Sequence, residues 1–326
     1  MTRILYVGDT HMVPDELEEG EKLIDFIVRV TETEQVDATC FLGDQTHTHG
    51  IVHVSVLGLW RRAFLRLPKS IVLMGNHDTV KGVKSCDNTM MVHNELVTWI
   101  VDAAPVIWNN ILFVPHHEDP REVEEILRSH PTKVAVCHQA FLGMTFGGML
   151  APDGVDASKC PQETIITGHL HTPQKLGKVW APGACRWRTL DDADIDRHIW
   201  LVDHALDGTV RGVKGYSTAE VCRPIKRLYD TPEAPADLSL ITSGVTWRVD
   251  ITGPADWIES RRSLFVNAGA LVRTFVTTQE VAKVKESEGM GQSLMSHLVG
   301  FKGRYGTPRD VLGSMLSERL LSEYGV

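Results

Sequence analysis

Phe41-Leu-Gly-Asp-Gln-Thr-His47 is the stretch on which the reading of this chain turns. An apolar run, Ala38 to Leu42, stops abruptly at Gly43-Asp44. A carboxylate at the end of a buried parallel strand sits where α/β folds place their chemistry. Four other apolar runs end in the same manner. Ile4-Leu-Tyr-Val7 leads into Gly8-Asp9-Thr10-His11, and Ile71-Val-Leu-Met74 into Gly75-Asn76-His77-Asp78. Val134-Ala-Val-Cys137 leads into His138, and Thr164-Ile-Ile-Thr167 into Gly168-His169-Leu170-His171. The donors gathered at these ends are Asp, Asn and His, the ligand set of hard or borderline divalent cations. One Gly-Asp pair is a common turn, and one buried histidine is usually a core residue. Five such ends in chain order, each after an apolar strand, point to a site.

Length and composition bound the answer. The chain has 326 residues, 43% hydrophobic and 23% charged, an ordinary balance for a globular protein with a proper core. No apolar run approaches the roughly 18 residues needed to span a membrane. Met1-Thr-Arg-Ile-Leu-Tyr-Val runs straight into a strand and does not read as a signal peptide. Six cysteines without a CxxC pair read as reduced thiols, so a cytoplasmic protein is expected. The net charge of −9 counts against a free-standing DNA-binding domain. It leaves room for a nuclease, because bound cations and a partner supply positive charge locally.

Through residue 228 the chain alternates strand and helix signals. Apolar spacing predicts helices over 16–33, 50–67 and 90–103, and Pro120 opens another to His130. Strands are expected at 4–7, 38–42, 70–74, 111–114, 133–137 and 164–167. Residues 140–159, rich in glycine and carrying Met144, Phe146 and Met149, read as a substrate-facing flap. Residues 178–213 read as an antiparallel meander with a turn at Asp207-Gly208. The expected architecture is two sheets packed face to face with helices outside. Residues 229–240, with two prolines, read as a linker. A β-α-β unit follows, with strands at 244–252 and 271–277 around a helix at 254–266, and then a last amphipathic helix over 308–324.

Two cations about 3.5–4 Å apart clamp the attacking and leaving oxygens of a phosphoryl displacement and lower the pKa of water. Such a pair needs a bridging carboxylate, and Asp44 is the candidate. Asp9, His11 and His171 complete one metal; Asn76, His138 and His169 complete the other. Alternate residues of an extended segment point opposite ways, which suits His169 and His171. His77, beside a ligand, is the candidate proton donor to the leaving oxygen, with Asp78 orienting it.

Gly8-Asp-Thr-His11, Gly43-Asp44, Gly75-Asn-His-Asp78, His138 and Gly168-His-Leu-His171 together resemble the motif set of the calcineurin-like metallophosphoesterases. The resemblance implies an α/β (α+β) double β-sandwich flanked by helices, and a site for two divalent metals. Manganese is the implied metal, with magnesium, zinc or iron as alternatives. Asp44-Gln-Thr-His47, His171-Thr-Pro-Gln and Ala181-Pro-Gly-Ala-Cys-Arg186 are similar to segments of the SbcD-type nuclease branch, although Ala184 stands where that branch has Ser. The branch implies that His47 positions DNA. It also implies a nuclease domain over 1–228, a DNA-capping domain over 241–282, and a C-terminal helical segment, 283–326, that binds an SMC-like coiled-coil ATPase of the SbcC type. A homodimer is implied as well. Lys81, Lys84 and Arg186 are the expected DNA contacts.

The expected activity is therefore metal-dependent DNA nuclease action at DNA ends, exo- or endonucleolytic, in repair or recombination. Two alternatives stand beside it. A stand-alone phosphoesterase for a nucleotide or other small ester needs only the same metals, and leaves residues 244–326 unexplained. A non-catalytic scaffold requires a damaged ligand set, and no ligand is damaged.

Overall fold

The computed structural model describes residues 1–80, 87–146, 149–151 and 153–277. Lys81, Lys84 and the expected ATPase-binding segment 283–326, with its helix at 308–324, lie outside the described residues. The elements run β1 (Thr2–Val7), α1 (Leu17–Thr33), β2 (Ala38–Phe41), α2 (Val54–Arg66), β3 (Ser70–Leu73), β4 (Trp99–Val101), β5 (Val106–Trp108), β6 (Ile111–Val114) and α3 (Pro120–Ser129). They continue with β7 (Val134–His138), β8 (Thr145–Phe146), β9 (Met149–Leu150), β10 (Thr164–Gly168), β11 (Gln174–Leu176), β12 (Val179–Ala181), β13 (His198–His204) and β14 (Val210–Ser217). Last come β15 (Ile225–Asp230), β16 (Thr246–Gly253), α4 (Ala255–Asn267) and β17 (Leu271–Val276).

Two six-stranded sheets carry the fold, in the orders β14-β13-β1-β2-β3-β4 and β11-β12-β10-β7-β6-β5. The central pairings, β1-β2-β3 and β10-β7-β6, are parallel. Successive residues of a strand face opposite ways. Ile4, Tyr6, Cys40, Ile71 and Leu73 join Ile111, Phe113, Val134, Val136 and Ile166 in one apolar cluster between the sheets. Their neighbours Leu5, Val7, Phe41 and Val72 pack instead with Leu23 and Ile27 of α1 and with Leu59, Trp60 and Phe64 of α2. On the second sheet Leu112, Val114, Ala135, Cys137 and Ile165 pack with Val123 and Leu127 of α3. The layers are thus helix, sheet, sheet, helix. Burial on both faces is why these strands are unbroken apolar runs. Asp119 caps α3, accepting from the Arg121 N–H at 2.9 Å, and Pro120 follows at the first helical position.

Three expectations change. Residues 90–103 do not form a helix: a short turn at Met91–His93 gives way to β4, which pairs in parallel with β3, Ile71 opposite Trp99. The run Val97-Thr-Trp-Ile-Val101 is β-branched and aromatic, and the open edge of β3 offers it backbone partners that outweigh its helical spacing. The meander is divided between the sheets. β12 pairs with β10, while β13 and β14 form a hairpin beside β1, turning at Gly208 with φ +86°. Part of the stretch read as a linker is strand: β15 runs to Asp230, whose buried carboxylate accepts from Arg261 at 2.7 Å and from the Ala236 N–H at 2.8 Å.

The chain divides into two units, Met1–Arg227 with Ser239–Arg248, and Leu228–Leu238 with the residues from Val249 on. A three-stranded sheet has the order β15-β16-β17. In the second unit α4 links the last two of these strands and buries Phe265. Among the described residues, Cys40, Cys137, Cys160, Cys185 and Cys222 are buried free thiols. No described helix is long and apolar enough to cross a membrane.

Candidate metal centre

The predicted donors converge from both sheets. Asp9, Asp44 and Asn76 follow β1, β2 and β3; His138 ends β7; His169 and His171 follow β10. His11, Asp44 and His169 all have left-handed backbone, with φ of 42°, 54° and 73°. Such conformations cost on the order of 1–3 kcal/mol each and persist where the surroundings enforce them. The preceding glycines explain how the ligands come so close. A Cβ on Gly43, whose φ is +109°, would lie 2.1 Å from His138 Nδ1, and one on Gly75 would lie 2.1 Å from Asp44 Oδ1. Gly43→Ala is therefore expected to displace His138, destabilise the metal-free protein by about 1–3 kcal/mol, and lower bound metal. Thermal melts in chelator and elemental analysis check this; an unchanged melt with full metal content contradicts it.

Two groups of donors stand side by side, Asp9-His11-His171 and Asp44-His138-His169, each with its ligand atoms within 4.8 Å of one another. Asp44 Oδ2 lies 3.5 Å from His11 Nε2 and 3.5 Å from His138 Nε2, so one oxygen faces both groups. Its other oxygen accepts from the His77 N–H at 2.9 Å. His11 Nε2 and His171 Nε2 are 2.9 Å apart. Asn76 Oδ1 lies 3.2 Å from His138 Nε2 and 2.9 Å from His169 Nδ1. His138 donates from Nδ1 to the Leu42 carbonyl at 2.7 Å, which leaves Nε2 for the cluster. Asp9 Oδ1 accepts from the His169 N–H at 2.9 Å, while its buried Oδ2 has no hydrogen-bond partner. A buried carboxylate oxygen without a partner is costly without a cation. The donor set fits two divalent metals.

The electrostatics favour ligation. Burial, reinforced by His138, pushes His169 down to about 3, and burial holds His11 well below its usual value, so both stay neutral. Burial opposes a charge on His138 too, but Asp44 and Asp9 prevail and raise it to about 9. Against its own burial, Asp44 is held below the carboxylate range chiefly by His138. One proton thus resides on His138 at neutral pH, where a metal must replace it. Loading between about pH 7 and 8 is expected to release about one proton per chain. Apparent affinity should rise with pH until His138 deprotonates near 9. Calorimetry in two buffers of different protonation enthalpy measures this, and a buffer-independent heat contradicts it.

At the mouth, His77 donates from Nδ1 to the His47 carbonyl. The exposed His47 ring stacks near it, with centroids 5.5 Å apart, and His47 Nδ1 is 3.5 Å from His11 Nδ1. Asp78 does not orient the His77 ring. It is buried and accepts from the Thr46 N–H at 3.0 Å and the Gly75 N–H at 3.1 Å, tying two ligand loops together. Arg186 is not placed to meet DNA: it is fully buried, paired with Glu16 and with Glu19 at 3.0 Å, and donates to the His11 carbonyl at 3.5 Å. Arg197, also fully buried, holds the His171 carbonyl and pairs with Asp192. Sequence reading passed over Arg197, because nothing in its spacing ties it to His171. It also passed over His49 as one of several neighbouring histidines. His49 donates from Nδ1 to the Asn76 carbonyl at 2.7 Å and stacks on His77 at 4.1 Å. His116, which follows β6, donates to the His138 carbonyl at 3.1 Å, and burial pushes it down to about 4.

Two sheets ending in this paired donor set define a dinuclear metal-dependent hydrolase. The sequence pattern of the calcineurin-like phosphoesterases matches residues 2–173, and the chain belongs to that family, whose members hydrolyse phosphoesters with divalent metals. No curated protein matches the chain. Among solved structures it is similar to YfcE, a phosphoesterase from E. coli, at 14% identity over 65% of this chain and 98% of that one, with a TM-score of 0.33. A phosphatase from Mycoplasma pneumoniae matches at 12% identity over 66% and 92%, with a TM-score of 0.40. GAP50 of Plasmodium, described as the anchor in the inner membrane complex, matches at 10% identity over 66% and 88%, with a TM-score of 0.41.

Proposed function

We propose that this chain is a manganese-dependent DNA nuclease of the SbcD type, hydrolysing phosphodiesters at DNA ends as a dimer with an SMC-like coiled-coil ATPase. The observation that carries the proposal is His47. It is exposed at the mouth, 3.5 Å from a ligand histidine and stacked near His77, and with His11 and His77 it forms a third cluster of ring nitrogens beside the two metal groups. When bound, the two cations supply the charge that activates water and steadies the phosphoryl oxygens. The chain's own residues do the rest. Asp44 is shared between the two groups. His77, fixed through Nδ1–H by the His47 carbonyl, keeps Nε2 for the leaving oxygen: in the imidazolium form Nε2–H gives up its proton and the ring returns to the neutral Nδ1–H tautomer. His47 presents a second imidazole to the DNA backbone. The β-α-β unit beyond residue 244 has no use in hydrolysing a small ester and supports a cap on DNA. The net charge of −9 supports a subunit that borrows positive charge from its ATPase.

Purified protein with manganese and linear duplex DNA tests this, alone and with its ATPase. Cleavage of the ends is expected; no cleavage in either condition overturns the proposal. The burial of Arg186, which removes one expected phosphate contact, favours the second reading, a phosphoesterase for small substrates. Turnover of a nucleotide ester without DNA cleavage would establish that reading instead.

A further inference from the structure

The flap between β7 and β10 is firm at its root and exposed at Phe146, Met149 and Leu150. Phe141 and Met144 are buried in the apolar layer beneath the second sheet. The Gln174 side chain then clamps Thr145 as a strand would: its Oε1 accepts from the Thr145 N–H at 2.8 Å, and its Nε2 donates to the Thr145 carbonyl at 2.8 Å. Phe146, the next residue, points the other way. Its ring lies 5.4 Å from the ring of His169, tilted by 40°, and is 48% exposed. An aromatic ring held half in water beside a metal ligand loses hydrophobic stabilisation unless something covers it. Met149 and Leu150, on the paired strand β9, are also exposed.

We infer that Phe146 is a stacking platform for a nucleobase next to the scissile phosphate, held in place by the Gln174 clamp. The inference rests on the nuclease reading and names what the site recognises: a nucleotide whose base is free to leave its helix stack. A base has a flat π-face that can stack on an exposed aromatic ring, and base–aromatic stacking tolerates any sequence, as an end-processing enzyme requires. A phosphoester without a base has nothing to place there. Phe146 is then a specificity residue that touches substrate, and Gln174 a positioning residue that acts through it.

The test uses the full-length, manganese-loaded protein with its ATPase, and duplex DNA ends whose terminal nucleotide is either natural or an abasic tetrahydrofuran analogue. Phe146→Ala is expected to lower kcat/KM on the natural end by about 10- to 100-fold and to leave the abasic end near the wild-type rate. Phe146→Trp should restore the preference, and Gln174→Ala should reduce it in the same direction as Phe146→Ala. Equal loss on both ends would mark a structural role and overturn the inference, as would no loss on either. Wild-type protein that cleaves neither end would overturn the nuclease reading itself, an outcome distinct from a wild type that cleaves both ends equally well.

Discussion

Asp44→Asn is expected to abolish hydrolysis and empty the site. The change is nearly isosteric, so the fold has little reason to fail. What it removes is the negative charge that Oδ2 directs at both donor groups, 3.5 Å from His11 Nε2 and 3.5 Å from His138 Nε2. It also removes the charge that keeps His138 protonated in the metal-free protein, so His138 should give up its proton at lower pH in the variant. The expected loss of kcat is at least about 10³-fold, the upper range for deleting one major electrostatic contributor. Elemental analysis should find both metals depleted. If one metal is lost and the other kept, Asp44 serves one group only.

His77→Ala is expected to leave the metals bound while hydrolysis falls by about 10²- to 10⁴-fold, the range for a general acid. The His77 backbone N–H still donates to Asp44 in the variant, which is why the ligand set should survive. The loss should be largest on substrates with poor leaving groups, because those need the proton, and small on an activated ester such as a nitrophenyl phosphodiester. Equal loss on both, or loss of metal, would remove His77 from the role of proton donor and make it a structural neighbour of Asp44.

The five strand ends are legible in sequence because each strand is buried on both faces and four of the five stop at a glycine. The apolar run and the turn residue are local signals, and their chain order follows from parallel pairing. The glycines carry more information than turn chemistry alone suggests: the one at 43 leaves room for His138 of the second sheet, and the one at 75 for Asp44 at the end of β2. Where the reading fails, partners distant in sequence decide. Val92, Leu96, Trp99 and Ile100 have helical spacing, but Trp99–Val101 completes a sheet whose neighbour, β3, is known only once the chain is folded. Arg186 looks like a phosphate contact beside a Pro-Gly turn, yet Glu16 and Glu19, some 170 positions away in sequence, enclose it. Its work and that of Arg197 is to hold the carbonyls of His11 and His171. His49 is invisible for another reason: its partner is a backbone carbonyl, that of Asn76, and a carbonyl leaves no mark in a sequence.

Anomalous diffraction from crystals of the manganese-loaded protein, collected on both sides of the manganese edge, tests the central claim most directly. The claim is that Asp44 is shared between two metals. Two anomalous peaks are expected, one beside Asp9, His11 and His171 and the other beside Asn76, His138 and His169, with the Asp44 carboxylate touching both. One peak alone, or two peaks of which Asp44 touches only one, would contradict it.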